Sequence, residues 1–196
     1  MAAGSAPALT PEEYLDLERA SAEKHEYIEG KLVPVTGLSF QHNLIQFNLI
    51  ANLKPQLPRT GCHGFGGALR VKSGAEPIYS YPDLSIACGE PAVGTDGADT
   101  LLNPILLLEI MSPATEDYDR GEKLAHYRRI PTLEEYVLVA QESPLIEHHV
   151  RQGDGTWRWS AIAGLDETIT LPTIGCTLLL ADVYDGIPFA TAAETE

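Results

Sequence analysis

The sequence predicts an α/β (α+β) fold in which a mixed central sheet is flanked by helices. Three observations support this: a capping-box motif at Thr10–Glu13, an almost wholly apolar run at residues 104–111, and helical and strand patterns that follow one another along the chain. A length of 196 residues suits one domain with a buried core. We predict this domain over residues 10–185, with an N-terminal tail at 1–9 and a C-terminal tail at 186–196.

The first half of the chain begins with a strong helix start. Thr10 can cap the helix, Pro11 suits its first position, and Glu13 completes the capping box, so a helix should run to about Ala22. The elements predicted next are a hairpin at 25–35, a helix at about 40–53 whose apolar residues recur with helical spacing, and strands at 62–72 and 79–88.

The second half contains the most apolar segment. After an exposed loop at 89–100, the run at 104–111 has the composition of a central strand that is covered on both faces. The remaining predicted elements are a helix at 117–129, a strand at 135–140, a hairpin of 146–150 with 157–162, and edge strands at 168–171 and 177–180. Trp157 and Trp159 share one strand face, and we expect both in the core.

Charge and cysteine content limit the classes of function. The net charge of −15 argues against a sequence-independent DNA coat, whose affinity would come from Lys and Arg on phosphates. It does not exclude an enzyme whose carboxylates hold a metal ion. No apolar run approaches the ~18 residues of a membrane span, and no signal-peptide pattern is present. Three widely spaced cysteines predict no disulfide framework, which favours the reducing cytoplasm.

Glu109 is the most informative residue because it is the charged residue within the apolar run at 104–111. Burying a lone carboxylate costs several kcal/mol unless it is paired, protonated or bound to a metal. Glu109 is therefore a candidate metal ligand or acid/base group. The alternative is that it lies at the strand end, before Ser112-Pro113, and reaches water.

Asp83 is a second candidate, at the start of the predicted strand that follows Pro82. Pro-Asp is also a common turn sequence, so Asp83 alone indicates little. Together with Glu109, on what we expect to be a neighbouring strand, it could form a two-carboxylate site for Mg²⁺, which prefers oxygen ligands. This hypothesis requires the two carboxyl groups to converge.

Lys123 and Glu26 complete the set of candidates. In a helix, Asp119, Lys123 and Tyr127 are four residues apart and share a face. Lys123 could be a functional group, or it could form an exposed ion pair with Asp119; spacing alone favours the ion pair. Glu26 could be a further acidic contributor or a surface charge on the hairpin.

Four motifs, taken in order, resemble the Uma2 family of restriction endonucleases, a branch of the PD-(D/E)XK phosphodiesterase superfamily. They are HEYIEG at 25–30, YPDLS at 81–85, LLEIMSPAT at 107–115 and DRGEKLAHY at 119–127. The resemblance extends from about Thr10 to Leu180. It implies a restriction-endonuclease-like core: a mixed sheet flanked by helices, with the site at one edge.

The resemblance also implies roles for individual residues. Asp83 takes the place of the first acid of the superfamily motif and Glu109 that of the second. The lysine usually found two positions later is replaced by Met111, and Lys123 resembles the migrated lysine of this family. Glu26 matches an acid contributed by an early element. Asp83, Glu109 and the carbonyl group of Ile110 would hold Mg²⁺, or Mn²⁺.

Two functions remain open at this point. The preferred one is a metal-dependent endonuclease that hydrolyses phosphodiester bonds of nucleic acid, with DNA favoured. The alternative is a catalytically inactive module of the same fold with a binding or structural role. A basic surface around Arg120, Lys123, Arg128 and Arg129 would favour the nuclease. The apolar surface of strand 135–140 and the following hairpin also predicts a homodimer, with no membrane partner.

Overall fold

The fold is described by a computed structural model for residues 8–35, 39–74, 77–94 and 99–189. Within these residues, no helix is long and apolar enough to cross a membrane. The helices are α1 (Pro11–Ala20), α2 (Phe40–Leu53), α3 (Glu116–Tyr118), α4 (Leu124–Tyr127) and α5 (Leu180–Val183), with a 3₁₀ turn at Leu57–Arg59 and a π-helical turn at Asp119–Lys123.

Thirteen strands are present in the described residues. In chain order they are β1 (His25–Ile28), β2 (Lys31–Pro34), β3 (Cys62–Gly66), β4 (Arg70–Ser73), β5 (Ile78–Ser80), β6 (Leu84–Cys88), β7 (Thr100–Leu101), β8 (Leu106–Met111), β9 (Glu135–Ala140), β10 (Leu145–Arg151), β11 (Trp157–Ala163), β12 (Thr168–Leu171) and β13 (Cys176–Leu179).

The strands form a large sheet, a smaller sheet and a separate pair. The large sheet has the order β11-β10-β9-β8-β6-β3, the smaller sheet has the order β2-β1-β5-β4-β7, and β12 pairs with β13. Strands β8 and β9 run parallel, as do β4 and β7, whereas the other pairs are antiparallel. Mixed sheets with flanking helices confirm the predicted fold class.

Strand β8 lies inside the large sheet and is buried on both faces, as its composition predicts. Leu106, Leu108 and Ile110 pack in one core with α2, α5 and the β12–β13 pair. Leu107 and Met111 pack in a second core with helix α4. Because side chains alternate along a strand, Glu109 points to the same face as Leu107 and Met111.

The strands predicted at 62–72 and 79–88 are each divided in two, so these predictions were wrong in extent. In the first, the N–H groups of Ala68 and Leu69 donate to the carbonyl of Gly66 and close a turn. In the second, the chain leaves its ladder at Tyr81-Pro82, and proline has no N–H to donate. Each half joins a different sheet, so Asp83 lies where the chain passes between them.

The helix predicted at 117–129 is helical from Glu116 to Tyr127 but is interrupted by the π-helical turn. Such turns are rare and occur frequently at functional sites. Asp119 and Lys123 are the buried residues of this turn. The sequence pattern gives no indication of the extra residue, because a regular helix fits the same apolar spacing.

Trp159 was wrongly expected in the core: it is 57% exposed. Strand β11 is an edge strand of the large sheet. Its Trp157 side chain packs against the second core, the one that contains Leu107 and Met111. Arg128 and Arg151 place their guanidinium groups 5.6 and 5.0 Å from the ring of Trp157. These two side chains therefore cover Trp157, whereas more than half of Trp159 remains in solvent.

The predicted absence of disulfides was also wrong. Cys62 and Cys88 are joined by a disulfide, and Cys176 is free and buried. The two bonded cysteines are 26 residues apart, but they face each other directly in the β3–β6 ladder. Their pairing is created by strand register, which cysteine spacing alone does not reveal.

Several boundaries predicted from the sequence fall outside the described residues. These include residues 1–7 of the N-terminal tail, 190–196 of the C-terminal tail and 95–98 of the predicted loop. At the edges of the described chain, Leu9 donates its N–H to the carbonyl of Gly30 at 3.0 Å. Ile187 is buried, and Phe189 packs against Tyr184.

His149 should make the fold sensitive to acid. It is buried in β10, its Nδ1 atom has no hydrogen-bond partner, and burial together with the charge of Arg128 lowers its pKa to about 4. The unfolded chain, with a histidine pKa near 6.5, binds this proton first. The free energy of unfolding should therefore fall between pH 6.5 and 4, by on the order of 2 kcal/mol from this residue.

Urea denaturation of wild type and His149→Phe at pH 7.5 and 4.5 measures this effect. The variant should lose less free energy of unfolding on acidification. His63→Phe, at an exposed histidine, should behave as wild type does. Equal losses in wild type and His149→Phe would show that His149 is not responsible.

Candidate active site

A pocket of about 130 Å³ lies at the C-terminal end of β8. It is bordered by the β1–β2 hairpin, the junction before β6 and the π-helical turn. The structure brings every predicted site residue to this pocket, with Glu26 from β1, Asp83 from the junction, Glu109 and Ile110 from β8, and Lys123 from the turn. Their placement together is a finding, whereas their roles in catalysis remain predictions.

Lys123 lies at the centre of the charged groups. Its Nζ atom is 2.9 Å from Oε1 of Glu109, 3.4 Å from Oε1 of Glu26 and 3.5 Å from Oδ1 of Asp119. The ion pair with Asp119 thus exists, but Lys123 and Asp119 are only 8% and 3% exposed. The interpretation of Lys123 as half of a solvent-facing pair is therefore wrong.

The π-helical turn that carries Lys123 is held from outside the pocket. The hydroxyl of Tyr136, on β9, donates to the carbonyl of Asp119 at 3.2 Å. Arg120 points the other way and donates to Glu147 on β10 and to Glu116 on α3, both at 2.7 Å. These contacts fix the turn against the sheet, with Lys123 on its inner side.

Asp83 has hydrogen bonds to both carboxylate oxygens. His42 Nε2 donates to Oδ1 at 2.8 Å, and the backbone N–H of Ile110 donates to Oδ2 at 2.7 Å. Gln46 donates to the backbone carbonyl of Asp83 at 2.9 Å. Strand β8 and helix α2 therefore fix the position and the plane of this carboxylate.

Sequence analysis missed the contribution of His42. It lies in the first turn of α2, where the hydroxyl of Ser39 accepts its backbone N–H, and this position is typical of a capping or packing residue. Its spacing of four residues from Gln46 puts both on one helix face. That signal could have been noticed, but Asp83, their common partner, is 41 residues after His42.

Burial and charge act together on Glu109 and Lys123. Burial raises the pKa of Glu109 well above its usual value; Asp83, Asp119 and Glu26 add to this, and Lys123 opposes it. Tyr127 also donates its hydroxyl to Oε1 of Glu109 at 2.7 Å. Burial alone would lower the pKa of Lys123, but the surrounding carboxylates raise it well above its usual value. Lys123 is therefore an ammonium group.

The donor chemistry of the pocket suits a hard divalent cation. Carboxyl groups of Glu26, Asp83, Glu109 and Asp119 line the pocket, and the ammonium of Lys123 offsets part of their charge. Mg²⁺ prefers such oxygen ligands and keeps part of its water shell. Within the described residues, no three His, Cys, Asp or Glu side chains are arranged to hold a metal ion. The residue types fit the cation, and waters would have to complete its coordination.

Comparison with known proteins identifies the family. The model of the Uma2 family, described as "Putative restriction endonuclease", matches residues 11–181. The chain belongs to the Uma2 family. Residue motifs pointed to the same family, and that prediction is confirmed.

Two proteins of Synechocystis sp. PCC 6803 are similar to this Uma2 protein over most of their length. "Uncharacterized protein sll1609" is 32% identical over 156 residues, which are 80% of this chain and 88% of that protein. "Uncharacterized protein slr1290" is 32% identical over 183 residues, which are 93% and 95% of the two chains.

A solved structure shares the fold. It is described as a "putative nuclease belonging to DUF820" from Anabaena variabilis, and it has a TM-score of 0.71 with 19% sequence identity. The match covers 88% of this chain and 96% of that one. At this identity the similarity supports the nuclease-like fold alone.

Replacing Lys123 should destabilise the protein strongly. In Lys123→Met, the carboxylates of Glu109, Glu26 and Asp119 would face one another without a cation. Breaking a buried ion pair in this way costs about 3–5 kcal/mol. Adding Glu109→Gln should recover part of the loss, because it removes one of the unpaired acids.

Urea denaturation at pH 7.5 of the two single variants and the double variant measures this coupling. Lys54→Met, at an exposed lysine, is the matched control and should change the free energy of unfolding by less than about 0.5 kcal/mol. A Lys123→Met protein as stable as wild type would contradict a buried ionic network.

Proposed function

We propose that this protein is a metal-dependent endonuclease that hydrolyses phosphodiester bonds of nucleic acid, with DNA favoured. One observation carries the proposal. The ammonium of Lys123 is buried 2.9 Å from Glu109, in the same pocket as the doubly hydrogen-bonded carboxylate of Asp83. A buried acid–acid–lysine set in a chain of a family described as restriction endonucleases is best explained by phosphodiester cleavage. That description also supports DNA as the substrate.

Asp83, Glu109 and the carbonyl of Ile110 would hold Mg²⁺, and Mn²⁺ would be an acceptable substitute. When bound, the cation would polarise the scissile phosphate and lower the pKa of a coordinated water. His42 and the N–H of Ile110 keep the Asp83 carboxylate in one orientation, so it needs little reorganisation to accept a ligand. A preorganised ligand of this kind is what a catalytic metal site requires.

Lys123 would act on the phosphate and the attacking water. Its ammonium would orient the water and offset the negative charge that develops on the phosphate oxygens in the transition state. Glu26, 3.4 Å from the ammonium, would keep Lys123 charged and aimed into the pocket. Glu26 is therefore proposed as a positioning acid.

A second candidate function, a catalytically inactive module, is favoured by the charges around the pocket. Lys123 is already surrounded by three carboxylates, and the charge of Arg120 is compensated by Glu116 and Glu147. The basic surface that the nuclease hypothesis requires is therefore not supplied by these two residues. In this alternative, the pocket is a stabilising ionic network and the protein acts through binding.

A cleavage assay distinguishes the two candidates. Purified protein should nick or linearise supercoiled plasmid DNA with Mg²⁺ or Mn²⁺ and should be inactive with EDTA. Asp83→Asn should reduce the rate by at least about 100-fold, since it weakens the proposed metal site. Asp166→Asn, at an exposed aspartate, should cleave as wild type does. Absence of cleavage of DNA and of RNA with either metal would favour the inactive module.

Metal binding can be tested without catalysis. Millimolar Mg²⁺ or Mn²⁺ should raise the melting temperature, because an ion that binds only the folded state stabilises that state by mass action. Differential scanning fluorimetry of wild type and Glu109→Gln, each with and without metal, measures this shift. Only wild type should respond. An equal shift in both proteins would place the ion elsewhere.

A further inference from the structure

Strand β11 is the longest unpaired edge of the sheets in the described residues. Its seven residues, Trp157–Ala163, pair with β10 on one side, and no described strand lies on the other. Such an edge leaves backbone N–H and C=O groups free to pair with another strand. Proteins normally protect long edges with charges, proline, bulges or a covering segment.

The other sheet edges are shorter or protected in these ways. Strand β2 has four residues and contains Lys31 and Pro34, and β7 has two residues. Strand β3 contains two glycines and is bound to its neighbour by the Cys62–Cys88 disulfide. Strand β11 has no proline, glycine or acidic residue, and Arg158 is its one charged residue.

We propose that two copies of this chain form a homodimer by antiparallel pairing of their β11 strands. The two large sheets would then become one continuous sheet. A two-fold axis perpendicular to that sheet lies midway between the two copies of one residue, because facing side chains of antiparallel strands must lie on the same face. Full overlap of the seven residues places the axis at Ser160.

This register makes the strand complementary to itself. Trp159 faces Ala161 of the partner subunit, and Trp157 faces Ala163 of the partner subunit. Each large ring is therefore opposite a small side chain, and Trp159, now 57% exposed, would be partly covered. No carboxylate of one β11 strand faces a carboxylate of the other, so the strand contact itself brings no acidic groups together.

Two measurements test the interface. Analytical ultracentrifugation at micromolar concentration should give twice the mass of the 21.3 kDa chain. Ser160→Cys places two thiols face to face at the axis, and diamide, which accepts their two hydrogens, should convert the protein to a covalent dimer on a non-reducing gel. Thr170→Cys, exposed on β12, is the matched control and should not cross-link. A 21.3 kDa species alone, or equal cross-linking of both variants, would overturn the proposal.

Introducing a charge at Ser160 tests the register. Ser160→Glu and Ser160→Lys each place two like charges opposite each other across the axis, so each variant should dimerise at least tenfold more weakly than wild type. Mixing the two should restore a dimer, which misfolding cannot produce. Because Ser160 is paired with the buried His148 of β10, thermal melting checks that each variant is folded. Undiminished dimerisation of both single variants would rule out the axis at Ser160.

Discussion

The contact between the Lys123 ammonium and the Glu109 carboxylate, 2.9 Å apart, is the interaction on which the pocket depends. Glu109 lies in a strand whose six residues are all buried, and an isolated charge there would cost several kcal/mol. The Lys123 ammonium offsets this cost only if the helical segment that carries it places it in direct contact with the buried Glu109 carboxylate. The helix and its π-helical turn meet this requirement, because they bring the Lys123 ammonium within 2.9 Å of Glu109.

Asp83 owes its place to a different constraint, the passage of the chain between two sheets. The segment after β5 leaves one sheet at Tyr81-Pro82 and enters the other at Leu84. A residue at such a junction is free of the regular ladder, so its side chain can reach the backbone N–H of Ile110 on the next strand. The position of the Asp83 carboxylate therefore depends on the arrangement of the two sheets as well as on its hydrogen-bond partners.

Local signals in the sequence predicted much of this structure. The capping box at Thr10–Glu13 is present, β8 is a central strand, and Glu109 is the exceptional charge within it. The features that were not predicted depend on contacts between distant segments. His42 reaches Asp83 across 41 residues, the disulfide follows from strand register, and the division of two strands follows from the existence of a second sheet. No local pattern encodes such contacts.

The π-helical turn at Asp119–Lys123 also has a consequence for insertions and deletions. A turn of this kind contains one residue more than the regular helix around it. Deleting one residue between Tyr118 and Lys123 would restore regular winding, at 3.6 residues per turn. Because the π-helical turn fits its extra residue into one full rotation, Lys123, Leu124 and Tyr127 would keep nearly their present directions relative to Glu116, whereas a second deletion would rotate all three by about 100°. The segment can therefore lose one residue and still direct the ammonium toward the pocket, but a second loss would turn the ammonium away from it.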